Sequence, residues 1–207
     1  MSFFVREKGK LMCKFSEDSR QKLGNAVIYI ANHTEQLSKT KLLKLLFLME
    51  EYMVKRYHVP FMGLPFEIWQ AGPVAKDIFI DLSDGPFLLK DFVKTEVQKD
   101  ATYIRAIKPF CDDEFSDCEM EMMDEIIRKY GKKPAKQLVA EVHKEGSLWF
   151  NAAKKHGLLT AFNKGLCNNS DYTIDFSEEL SDCAREDYKE SLAIHQTANI
   201  LKAQGYV

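Results

Sequence analysis

The stretch KLLKLLFLMEEYMVKRYHVPFMGLPFEIWQAGPVAKDIFIDL, residues 41–82, decides the fold. Its first half is helical by spacing. Leu42, Leu45, Leu46, Met49, Tyr52 and Met53 recur at three- and four-residue intervals on one face, and Leu43 and Phe47 widen it. A helix apolar over so much of its circumference is expected to be central and largely buried. It carries EEYMVKR on its outer turns and ends near Tyr57, because a residue ahead of a proline, here Pro60, is pushed out of the helical region. Phe66 and Ile68 alternate with Glu67 as in a short strand. Gly72-Pro73 reads as a helix start with proline in first position. Val74, Ile78 and Leu82 supply the buried stripe of that third helix, and Gly85-Pro86 stops it.

Upstream, residues 1–20 read as an extended lead-in with some strand character. Leu23, Ala26, Val27, Ile30 and Ala31 then give a first amphipathic helix ending around Asn32. Downstream, residues 87–110 lose the helical period and read as a β-hairpin with Lys99-Asp100 near its turn. Ser116 and Glu119 form an S-x-x-E capping box, with Phe115 and Met120 placed as a hydrophobic staple. The helix that follows buries Met120, Met123, Ile126, Ile127 and Tyr130 and ends at Gly131.

A second informative stretch is QLVAEVHKEGSLWFNAAKKHG, residues 137–157. One helix, opened by Pro134, closes at Gly146. Another is capped by Ser147 and closes at Gly157. Residues 158–176 read as irregular, with Asn168-Asn169-Ser170-Asp171 as loop chemistry. A last helix spans 181–203, with Tyr188, Leu192, His195 or Gln196, and Asn199 on a weakly apolar face suited to the margin of the fold or to a partner. The fold class is mainly α, a compact helical domain with a small β-hairpin or short sheet inserted. Residues 21–160 form its body, and 161–207 a loop and helix packing on it.

Composition narrows the function classes. The chain has 207 residues, 45% hydrophobic and 29% charged, an ordinary globular balance. A net charge of −2 gives no general pull towards nucleic acid or anionic membranes. No apolar run approaches the roughly 20 residues that cross a bilayer. The start, MSFFVREKGK, lacks the pattern of a secretory signal. Five scattered cysteines include no C-x-x-C pair, which fits free thiols in a reducing, cytoplasmic setting. The five histidines form no H-x-x-x-H or H-E-x-x-H pattern, and there is no P-loop or EF-hand spacing, so neither metal nor cofactor is expected.

Two segments stand out as surface candidates. Trp69, Gln70, Gly72 and Pro73 form a corner with an aromatic and an amide beside free helix N–H groups, which suits protein or anion binding or a turn held by its own hydrogen bonds. His143, Glu145 and Trp149 form the second cluster. His143 as a general base would need a nucleophile within about 3 Å, and no serine, cysteine or glycine-rich loop accompanies it in sequence. Two basic groups, Lys39/Lys41/Lys44 and Arg128/Lys129/Lys132/Lys133/Lys136, read as solvated faces. Their clustering on one surface would favour nucleic-acid binding.

In order and spacing, KLLKLLFLMEEY, QAGPVAKDIF, FSDCEMEMMDEIIRKYG and HKEGSLW resemble the Panacea domain of SocA-like and GepA-like proteins from bacteria and phages, over roughly residues 20–160. Leu148 stands where the resemblance leads one to expect a proline, and the tail after about 160 is not covered. The resemblance implies a non-enzymatic antitoxin that binds a cognate toxin encoded beside it. In SocA-like members the antitoxin is an adaptor that hands the toxin to the ClpXP protease. On this chain the implied partner-binding residues are Trp69, Gln70, Gly72, Pro73, His143, Glu145 and Trp149. The alternative is a phage- or plasmid-borne regulator associated with nucleic acid.

Overall fold

The computed structural model describes residues 15–83, 85–99 and 101–206. The strand character expected of the lead-in falls mostly outside the described residues. Among the described residues eight α-helices follow one another: α1 (Glu17–His33), α2 (Lys39–Tyr57), α3 (Lys76–Asp81), α4 (Asp117–Tyr130), α5 (Ala135–Val142), α6 (Leu148–Lys155), α7 (Leu158–Asn163) and α8 (Asp182–Ala203). Two antiparallel hairpins interrupt them, β1 (Glu67–Trp69) with β2 (Gly72–Val74), and β3 (Val93–Gln98) with β4 (Ala101–Ala106). The fold is mainly α with minor β.

Serine caps set three helix starts, two of them, Ser116 and Ser147, read from the sequence. The Ser38 side chain accepts from the Lys41 N–H at the head of α2, the Ser116–Glu119 capping box closes both of its bonds, and Ser147 accepts from the Phe150 N–H. Helix α2 is the axis of the molecule. Every residue from position 41 to 50 is buried, because α4, α5, β2 and the second hairpin surround it. This corrects two expectations. Lys41 and Lys44 do not form a solvated basic face, and Glu50 does not lie on an outer turn.

Each buried charge on α2 is held by backbone groups far along the chain. Lys41 Nζ donates to the Gly131 carbonyl at 2.6 Å, and Lys44 Nζ to the Pro73 carbonyl at 2.8 Å. The Glu50 carboxylate accepts from the N–H groups of Phe61, Met62 and Gly63 at 2.9–3.1 Å. Burial pushes the Glu50 carboxyl up to about 7, against the opposing pull of those three donors. These contacts clamp the end of α4, strand β2 and the 61–63 loop onto one helix, with the burial of each charge offset by directed hydrogen bonds.

Helix α1 packs tightly enough that Gly24 leaves room for the Phe92 ring, which lies 2.2 Å from where a Cβ would stand. The β3–β4 hairpin, turning at Lys99 with positive φ, is tied to the α1–α2 link by the Ile104 N–H to Leu37 carbonyl bond at 2.8 Å. Helix α8 lies along α1. Ser19 donates to Asn199 at 2.6 Å, Lys202 pairs with Asp18 at 2.6 Å, and Tyr188 is buried beneath it. Phe176, in a 3-10 turn, joins Phe47 and Phe66 in one aromatic cluster.

Two elements differ from the sequence reading. Gly72-Pro73 is strand rather than helix start, and α3 begins only at Lys76. Ile68 faces Pro73 and Trp69 faces Gly72 in the hairpin register, and the Lys44 amine holds the Pro73 carbonyl. Residues 158–163, read as irregular, form α7 by burying Leu158 and Phe162.

Candidate functional site

The two segments singled out in the sequence meet. The hairpin β1–β2 turns through Gln70 and Ala71, the two residues between paired Trp69 and Gly72. Gly72 has φ of +96°, and a Cβ there would stand 2.8 Å from Lys44 Cε and 3.0 Å from Val142 Cγ2. Glycine is therefore required both by conformation and by space. From the other side, the indole N–H of Trp149 donates to the Trp69 carbonyl at 3.1 Å. The His143 ring stacks on Trp149 at 3.8 Å between centroids with an 11° tilt, and Phe162 lies parallel on Trp149 at 6.3 Å.

The corner is fixed further by its own side chains. Trp69 donates from its indole to Glu67 at 2.8 Å and packs edge-on to Phe79. Lys39 donates to Ser83 and lies 3.9 Å over the Phe79 ring, which adds cation–π support. The Gln70 amide donates to the Phe162 carbonyl at 3.0 Å, joining the hairpin tip to α7. Ser147 donates to the Val142 carbonyl at 2.6 Å, which fixes the bend between α5 and α6.

Burial sorts the candidate residues by what they can do. Gln70, Ala71 and Glu145 are exposed, and Trp69 is half-buried. Gly72, Pro73 and Trp149 are buried, with Trp149 only 4% exposed. Trp149 therefore holds the corner from inside rather than offering its ring to a partner. His143 is half-buried, and its Nε2 is sealed from solvent with no hydrogen-bond partner among the described residues. Burial, then the nearby Lys44 amine, pushes the His143 imidazole down to about 4. Lys44 itself is pushed down to about 7 by burial. The imidazole is thus neutral near pH 7 and stacked on Trp149, with its Nε2 enclosed.

The sequence singled out Lys44 only as part of a basic group, yet it holds the corner through Pro73. The available signal was a lysine inside an otherwise apolar run. Of the two basic groups, Lys39, Lys41 and Lys44 are engaged inside the fold, so they do not join Arg128, Lys129, Lys132 and Lys136 in one exposed basic surface. No group of three or more His, Cys, Asp or Glu among the described residues could hold a metal ion. No helix among them is long and apolar enough to cross a membrane.

Comparison with known proteins gives one family. The model for the antitoxin SocA-like, Panacea domain matches residues 42–150, just over half of the chain. The match runs from the first turn of α2 into the first turn of α6, so it takes in the hairpin, Lys44, His143 and Trp149, while Lys39 and Phe162 lie outside it. No curated protein and no solved structure matches the chain. The chain belongs to the antitoxin SocA-like, Panacea domain family, and in general terms its role is that of an antitoxin.

Proposed function

We propose that this chain neutralises a cognate protein toxin, encoded by an adjacent gene, by direct binding and without catalytic turnover. The observation that carries this reading is the family match, which begins and ends on the elements that build the corner. Binding is assigned to the face bearing Gln70, Ala71 and Glu145, with half-buried Trp69 at its edge. Gly72, Pro73, His143 and Trp149 support that face from beneath. A preformed corner loses little conformational freedom when a partner docks, so more of the contact energy appears as affinity. Transfer of the bound toxin to the ClpXP protease is the finer form of the same function, in which the chain acts as a proteolytic adaptor.

Two experiments test the two levels. The product of the adjacent gene, purified with this chain, should elute as one complex. Ala71→Arg and Glu145→Lys should weaken that complex about tenfold without changing the melting temperature, as central contacts of an interface do. The half-life of the toxin in cells should shorten when this chain is present, and only if ClpX is present too. An unchanged half-life with intact rescue of growth would leave neutralisation by binding and remove the adaptor role.

A further inference from the structure

We propose that residues 164–173 form, together with the Gln70-Ala71 tip, a selectivity surface for an apolar segment of the toxin edged by carboxylates. This inference rests on the toxin-binding function proposed above.

After α7 the chain runs back along β1 and is fixed to it by main-chain bonds. The Ile68 N–H donates to the Tyr172 carbonyl at 2.9 Å, the Gln70 N–H to the Asn168 carbonyl at 2.9 Å, and the Ile174 N–H to the Phe66 carbonyl at 2.8 Å. Ser170 Oγ adds a bond to the Ile68 carbonyl at 2.7 Å. The strap is thus in effect a third strand of the corner hairpin. Yet it turns its large apolar side chains outwards. Leu166 is 74% exposed and Tyr172 52% exposed. The strap's attachment to β1 is through backbone and Ser170, so neither side chain is used to hold it there.

Tyr172 is also held in place. Its ring stacks on His156 at 4.1 Å with a 19° tilt, making a flat aromatic plate at the surface. A pre-ordered aromatic plate gives contact area at small entropic cost, a property of interface anchors. Along this segment positive charge is in excess. From position 154 to 173 there are three lysines and one aspartate, in a chain of net charge −2. The aspartate, Asp171, pairs with Lys76 at 3.1 Å, and Lys155 pairs with Glu178. Exposed Lys164, two residues before Leu166, has no ion-pair partner among the described residues. A partner that places an apolar side chain over Leu166 and Tyr172 and a carboxylate towards Lys164 complements this surface.

The strap lies outside the family match, which stops at 150, while the tip it adjoins lies inside it. The shared part of the fold therefore supplies the platform, and the strap adds contacts particular to this chain. That division assigns to the strap the choice among toxins.

The test is calorimetric titration of the chain with the purified product of the adjacent gene. Leu166→Ser, Tyr172→Ala and Lys164→Glu are compared with Val97→Ser, a control on the distant hairpin at a site 75% exposed. Because the altered side chains are exposed, all four variants should melt with the parent chain. Each strap variant should weaken binding about tenfold or more, while the control binds as the parent does. Parent-like binding by all three strap variants, with Ala71→Arg still weakened, would overturn the selectivity surface and leave the antitoxin reading intact. Failure of the parent chain itself to bind would remove that reading and this inference with it. A dimer of the chain alone that Leu166→Ser dissolves would make the patch a self-interface and equally overturn the proposal.

Discussion

Replacing Lys44 with methionine should make the protein more stable at neutral pH, by an amount that shrinks as pH rises. Lys44 is 1% exposed and its amine has one hydrogen bond, to the Pro73 carbonyl at 2.8 Å. Burial lowers its pKa from 10.5 to about 7. Between those values the unfolded chain holds a proton that the folded chain has released. Unfolding then takes up protons, so wild-type stability rises with pH across that window. It does so by at most about 1.4 kcal/mol per pH unit for one proton. The penalty is fullest below pH 7 and gone above 10.5. Methionine keeps the apolar length and removes the titration, but leaves the Pro73 carbonyl unpaired at a cost of about 1–2 kcal/mol. The variant should lead by roughly 2 kcal/mol at pH 7.5 and be about level with wild type at pH 9.5. Urea unfolding of both proteins at half-unit steps measures the difference directly, and titrations common to the two cancel. Parallel stability curves from pH 7.5 to 9.5 would refute the buried, weakly basic Lys44 and the clamp built on it.

Other outcomes follow from the same geometry. Glu50, whose carboxyl is raised from 4.5 to about 7 by burial, holds a proton in the folded state that the unfolded state has lost. Its contribution therefore falls as pH rises from 4.5 to 7, and Glu50→Gln should flatten that part of the urea-unfolding profile while leaving the slope above pH 7.5 unchanged. Gly24→Ala puts a methyl 2.2 Å from the Phe92 ring, and thermal unfolding should show a loss of about 1–3 kcal/mol, or more where the ring cannot shift. Trp149→Phe keeps most of the stack with His143 but removes the bond to the Trp69 carbonyl, at a cost of about 1 kcal/mol by denaturant titration. Faster hydrogen exchange should be confined to the β1–β2 hairpin and α6. Exchange that is unchanged there would separate Trp149 from the corner.

Much of the fold was legible because its signals are local. Ser116 with Glu119 before α4, and Ser147 before α6, set helix starts that need only three or four neighbouring residues to read. The 87–110 region declared itself by losing the helical period. The misread parts depend on distant atoms. Gly72-Pro73 fits a helix start when read alone, but three residues cannot show a strand period, and β1 and Lys44 decide the matter. Lys41 and Glu50 look solvated in sequence, because their partners are main-chain groups 90 and 11 to 13 residues away. Helix α7 has only Leu158 and Phe162 to bury, too few for a periodic signal. At the site, the sequence picked out both segments but not their division of labour. Only the fold shows that Trp149 is enclosed while Gln70 and Glu145 face solvent.

The central claim is that this chain suppresses a toxin by holding it, and growth rescue tests that most directly. The adjacent gene is induced alone, with this chain, and with the doubly altered Ala71→Arg/Glu145→Lys chain, in the same cells and at matched protein levels. The account predicts arrest in the first case, full growth in the second and arrest restored in the third, with the altered chain still folded. Growth in the first case, or equal rescue by the altered chain, would contradict it.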